Sequence, residues 1–281
     1  MKSKKSLLQY IFIILFLVIS YDLLLELFFA FYFYGKAALF GENFKIFNDG
    51  DFFLETLSCI IPLIVYSVWF FALKKNNDDK VSFEESVISK IVKCSIITFG
   101  LGGISSLWLE FVDRYLYKIS IFKNSYDSFN DTWSGVVEEP YIFVFLSVVI
   151  LGPIVEELLF RGLIYNYSDK IKSKLFPVIV SALLFGIWHR ELVQSVYTIS
   201  LGFGIALVYK DMKSLIWPIY VHILNNFISS FPDFIYNDAF LNAIDYLSFI
   251  MIIPTFYFMY KMIKRMYTQT SIQIESSDTL E

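Results

Sequence analysis

The sequence predicts an all-α fold: a polytopic membrane helix bundle with about eight transmembrane helices. Three observations predict it. Of the 281 residues, 57% are hydrophobic, above the roughly 45–50% of a soluble domain. Mean hydropathy is +0.59. The apolar residues also come in blocks of about 20, the helical length that crosses a hydrocarbon layer of about 30 Å.

Taken in order, the first predicted span is Leu7–Tyr34, which carries Asp22 and Glu26. Met1-Lys2-Ser3-Lys4-Lys5 could open a signal peptide, but the apolar run is too long and no small-residue cleavage site follows, so it reads as a retained span. The second is Phe52–Leu73. The third, Val87–Phe111, is more polar and holds Gly100, Gly102 and Gly103. A polar connection over Val112–Pro140 reads as a loop with room for a short surface helix. The fourth span is Tyr141–Tyr167, followed by a basic turn with Lys170, Lys172 and Lys174. The remaining spans are Leu175–His189, Leu192–Tyr209, Leu215–Ser230 and Phe240–Ile263, and the polar tail that follows reads as disordered.

Charge sets the expected orientation. With both termini in the cytosol, 15 of the 23 basic residues fall inside, among them Lys2, Lys4, Lys5, Lys74, Lys75, Lys80, Lys210 and Lys213. Six fall outside, including Lys45 and Arg190, and Lys93 and Arg161 lie within spans. The net charge of -4 offers no basic face, and nucleic acid is not an expected partner. Cys59 and Cys94, both in apolar segments, read as buried unpaired thiols.

The fourth span holds the stretch around which the chemistry is organised, Gly152-Pro-Ile-Val-Glu156-Glu157-Leu-Leu-Phe-Arg161. Ionisable groups at that depth cost about 2.5–3.5 kcal/mol each on insertion scales, and by default mark a functional site. Glu157 and Arg161 stand at i,i+4 with the acid first, the favourable order for a pair. Glu156, about 100° round the helix, is left available for chemistry. Pro153 should free the carbonyl of Val149 and kink the helix, and Gly152 should admit a close neighbour.

Only two histidines occur. His189 shares a helix face with Phe185, and His222 with Asn226, each pair at i,i+4. Counting ~1.5 Å per residue from the assumed cytosolic ends, Glu156 lies ~16 Å deep, His222 ~11 Å, Asn226 ~17 Å and His189 ~21 Å. H-E-x-x-H and G-x-S-x-G are absent. Tyr21-Asp22 lacks the partner acid that aspartyl intramembrane chemistry would need, since Gly202-Phe203-Gly204 runs on into Ile205, and Asp22 is expected to pair with neighbouring polar groups or to lie near the interface.

The sequence E-E-x-x-x-R, F-x-x-x-H and H-x-x-x-N, in that order on successive apolar helices, resembles the CAAX-protease and bacteriocin-processing family of intramembrane proteases, also called Abi, over about Val148–Ser230. The resemblance implies that Glu156 activates water and that His189 is its partner on that water. It assigns His222 and Asn226 to the oxyanion, and makes Glu157, Arg161 and Phe185 supporting residues. It divides the chain into membrane helices and a loop over 1–140, catalytic helices over 141–263 and a polar tail over 264–281.

The chemistry can be written without the family. A desolvated carboxylate suits a general base near neutral pH, and an imidazole with an amide one turn away could donate to an oxyanion. Zn2+ is not required by that scheme; if a metal is bound, its ligands would be Glu156, His189 and His222. The substrate expected is a membrane-associated peptide or protein, in a multi-pass protein of a bacterial plasma membrane, with self-immunity or peptide maturation as the setting. Two other functions fit the composition. One is a non-catalytic membrane scaffold or immunity protein. The other is a small transporter using Asp22, Glu26 and Glu156, which the lack of internal repeats disfavours.

Overall fold

A computed structural model describes residues 5–41, 51–74, 85–134, 140–232 and 237–278, with side chains described to residue 268 except at 133 and 134. Lys2, Lys4, Lys45, Lys75 and Lys80, part of the charge count, lie outside the described residues. Among those described the chain is helical. We number the elements α1 (Leu7–Phe40), α2 (Asp51–Lys74), α3 (Val87–Leu116), α4 (Ser120–Ser134), α5 (Tyr141–Asp169), α6 (Leu175–Trp188), α7 (Leu192–Met212), α8 (Ile216–Ser229) and α9 (Asp238–Asp278).

Every predicted span has its helix. Six of them (α1, α2, α3, α5, α7 and α9) are long and apolar enough to cross a membrane, and the chain is an integral membrane protein. The other two, α6 and α8, have 14 residues each, or about 21 Å at 1.5 Å per residue, short of a ~30 Å hydrocarbon layer. α8 carries His222, and α6 ends one residue before His189. His189 therefore stands at the end of a short helix, not near the far side of a full span.

The polar connection after α3 contains a full helix, α4. It is held by Ser125, whose hydroxyl accepts from the Val193 amide at 2.9 Å, and by Ser128, which donates to Glu191 at 2.9 Å. The tail also differs from expectation. α9 does not stop near Ile263 but continues to Asp278. No Gly or Pro follows Pro254 to end it, and Met262 and Met266 are buried in the core it shares with α3 and α7.

Two apolar clusters share the central helices. One joins α3, α7 and α9 through Cys94, Ile97, Leu101, Leu201, Ile205 and Met259. The other joins α1, α2, α5 and α6 through Leu17, Tyr66, Phe160, Leu163 and Phe185. Both cysteines are buried and unpaired. Outward-facing apolar side chains such as Phe12 and Ile253 have no such cover, as expected where lipid is the solvent. Lys93, buried at one end of α3, reaches Asp211 at 3.0 Å and Glu85 at 3.2 Å, and Arg265 reaches Asp211 at 3.2 Å. This network pins α3, α7 and α9 together.

Candidate active site

The site forms where α5 is irregular. Wide π turns over Phe145–Leu151 and Leu158–Tyr165 flank Gly152–Glu157. Such turns are often found at functional sites. The cause lies partly in Pro153. In the π register the Gly152 amide donates to Ser147, five residues back. The carbonyl of Val148 would then need the amide of residue 153, and proline has none. The orphaned carbonyl is therefore Val148, not the expected Val149, and the side chain of Asn226 satisfies it at 2.9 Å. Asn166 plays the same part in the second π turn, donating to Arg161 and Gly162. Gly152 is needed within its own helix, because a Cβ there would meet the Ser147 carbonyl at 2.7 Å.

Glu157 and Arg161 form the expected buried pair, each fully buried, with Nη1 to Oε1 at 2.7 Å. The Nη2 of Arg161 donates to the carbonyl of Gly202 at 2.9 Å. Its guanidinium also lies over the Phe185 ring, 4.6 Å from the centroid. Gly202 was not singled out from the sequence as a packing position. A Cβ at that position would stand 2.9 Å from Phe185 and 3.2 Å from Arg161, so α7 can supply this carbonyl only through a glycine.

His222 ties the two acids together. Its Nδ1 is 2.8 Å from Oε1 of Glu157, and its Nε2 is 3.8 Å from Oε2 of Glu156. A carboxylate paired with a guanidinium accepts, so Nδ1 carries the proton. In the neutral ring Nε2 is then a lone pair. A donor at Nε2, which the oxyanion role requires, exists only once the ring takes a second proton.

His189 is set the same way. Its Nδ1 is 2.8 Å from the Phe185 carbonyl, an acceptor, which again leaves Nε2 as a lone pair. Phe185 stands between the imidazoles, its centroid 4.8 Å from His189 and 5.7 Å from His222. Their separation is thus bounded by the sum of those distances. Leu17 and Tyr21 of α1 and Cys59 and Tyr66 of α2 pack in one apolar cluster with Val155 and Phe185, which places α1 and α2 beside the site as well.

The turn that carries His189 is held from several sides. Arg190, with a left-handed φ of 65°, pairs with Asp22 of α1. Glu191 accepts from Ser125 and Ser128, and the Val193 carbonyl accepts from the Trp108 indole at 2.8 Å. Asp22 thus finds a partner in Arg190, while Glu26 stays exposed on α1. A cavity of about 500 Å³, lined by Asp22, Asp51, Glu55, Trp188 and His189 among others, opens beside this turn.

The side chain of Glu156 is 17% exposed. Its Oε2 is buried and makes no hydrogen bond among the described residues. Glu156, His189 and His222, the ligands a metal would need if one were bound, do not form a metal-holding group. Among the described residues no group of three or more His, Cys, Asp or Glu side chains is placed to hold a metal ion. The residues as they stand do not fit zinc.

Comparison with known proteins bears on the same segment. Residues 138–228 match the family model described as "Type II CAAX prenyl endopeptidase Rce1-like". The resemblance read from the three motifs thus holds where the motifs lie. The chain is 27% identical over 150 residues to "Putative membrane peptidase YdiL" of Bacillus subtilis (strain 168), a match covering 53% of this chain and 57% of that protein. It is 32% identical over 105 residues to "UPF0177 protein YbdI" of Lactococcus lactis subsp. lactis (strain IL1403), covering 36% of this chain and 51% of that one. The matches span little more than half the length of these curated relatives. No solved structure matches the chain.

Proposed function

We propose that this relative of the CAAX-protease and bacteriocin-processing family is an intramembrane endopeptidase. In this reading it hydrolyses a peptide bond of a membrane-associated peptide or protein with water activated by Glu156. One observation carries the reading: a buried carboxylate oxygen on Glu156, unpaired among the described residues, faces the free Nε2 of His222 across 3.8 Å. An oxygen atom about 2.8 Å from both would fit that separation. A water there gives one proton to Glu156 as it attacks the carbonyl carbon. Glu156 then returns that proton to the leaving amide nitrogen, so the balance closes on one water and one bond.

Asn226 uses one N–H on Val148 and has a second for the developing oxyanion. His222 joins it as a donor when Nε2 is protonated. In that form Nε2 no longer accepts from the water, which is then held by Glu156 and His189. His189, with its Nε2 lone pair set by the Phe185 carbonyl, orients the same water. The cavity beside His189 provides the approach for solvent and substrate.

The membrane is proposed to be a bacterial plasma membrane with both termini in the cytosol, and the setting peptide maturation or self-immunity. The Phe-, Ile-, Lys- and Asn-rich composition and the organisms of the two relatives support the bacterial part. The test is the purified chain in liposomes with a library of membrane peptides. Glu156→Ala should abolish cleavage while the protein still folds, and cleavage retained by that variant would refute the assignment.

A further inference from the structure

A second cavity, of about 250 Å³, lies among the ends of α2, α5, α7 and α8. It is at the end of the bundle where α1 begins, since Lys5 sits over the ring of Tyr167. It includes none of Glu156, His189, His222 or Asn226. Its wall carries Lys74, Lys210 and Lys213 against a single carboxylate, Asp169. Lys210 is 3.5 Å from that carboxylate, while Lys74 and Lys213 are exposed. The Lys213 backbone is left-handed, with φ 49°.

Two further features add donors. Tyr165 lines the cavity and is 3% exposed, yet its hydroxyl has no hydrogen-bond partner among the described residues. A buried hydroxyl without a partner costs stability, and a phosphate oxygen would supply one; the Oδ1 of Asp169 in the same wall also makes no hydrogen bond among the described residues. The cavity also includes Ser214 and Leu215, at the start of α8, whose first turn has no side-chain cap. Amides at such a turn favour an anion.

We propose that this cavity binds a phosphate group, either the headgroup of an anionic phospholipid or free phosphate. Lys74 and Lys213 supply the charge, Tyr165 a neutral donor and the backbone amides of Ser214 and Leu215, leading into α8, the remaining hydrogen bonds. Basic pockets between helices at a membrane surface suit acidic headgroups, and each lysine is worth about fivefold in affinity.

The test uses the full chain in uncharged detergent. Native mass spectrometry compares retention of phosphatidylglycerol with that of phosphatidylcholine, and thermal unfolding is followed in phosphate against chloride at equal ionic strength. The expected result is a preference for phosphatidylglycerol that falls about 25-fold in Lys74→Gln/Lys213→Gln. It also falls in Tyr165→Phe, a variant that loses no buried hydrogen bond. Lys172→Gln, an exposed lysine outside the cavity, should leave the preference intact. Stabilisation by phosphate as well as by lipid would identify a general phosphate site, and by lipid alone a headgroup site. Stabilisation by phosphate alone would identify a site for the free anion; no lipid preference together with no stabilisation by phosphate in the wild-type chain, or an equal loss in Lys172→Gln, would overturn the proposal.

Discussion

His222 gives its Nδ1–H to Glu157 at 2.8 Å, not to the acid that stands free. Glu157 therefore fixes the ring, and Glu156 faces the nitrogen left open. The two adjacent acids have different jobs, and their substitutions should have different consequences. Glu157→Gln leaves Arg161 as an unpaired buried cation, and should cost about 3–5 kcal/mol of stability. Glu156→Gln, which breaks no close ion pair, should unfold within a few degrees of wild type. Thermal unfolding in detergent measures both, and the opposite ranking would reverse the assignment of the two acids.

Asn226 and Pro153 should be coupled. Asn226→Leu strands the Val148 carbonyl, at a cost of about 1–3 kcal/mol. It also removes an oxyanion donor, worth about 10²–10³ in rate. Pro153→Ala restores an amide that can reach the same carbonyl in the π register. The double variant should therefore regain stability but not activity. A double-mutant cycle that proved additive within about 0.5 kcal/mol would show that Pro153 does not create the orphan.

The turn bearing His189 depends on Asp22. The Asp22–Arg190 pair is largely exposed, with side chains 37% and 70% accessible, so its loss should change stability by less than about 1 kcal/mol. Asp22→Asn should nonetheless lower cleavage, because Arg190 adjoins His189 in a left-handed turn. Equal kcat in Asp22→Asn and wild type would remove Asp22 from any positioning role.

Three glycines of α3 offer an internal control. A Cβ at Gly100 would meet the Met251 carbonyl at 2.5 Å, and one at Gly103 the Ser248 carbonyl at 2.6 Å, whereas Gly102 has nothing within 4 Å. Gly100→Ala and Gly103→Ala should each separate α3 from α9 and cost about 1–3 kcal/mol. Gly102→Ala should be neutral or slightly stabilising. Equal unfolding temperatures for all three would contradict the close packing of the two helices.

Much of this could be read from the chain. Hydropathy found the helices because each span must bury its own backbone polar groups in lipid, and i,i+4 spacing found the Glu157–Arg161 pair because it is local. What escaped was set by distant partners. Nothing near Asp22 names Arg190, and nothing near Gly202 says that a guanidinium needs its carbonyl. The π register shifted the orphan carbonyl from Val149 to Val148, which an α-helical count cannot foresee. The polar tail read as disordered, yet Met266 buries against the core and the helix runs on.

Comparative mass spectrometry of membrane peptides from cells carrying the wild-type chain and cells carrying Glu156→Gln is the most direct measurement. Cleavage products are expected in the first that are missing from the second, at matched amounts of folded protein. Identical peptide sets in the two would contradict the peptidase assignment.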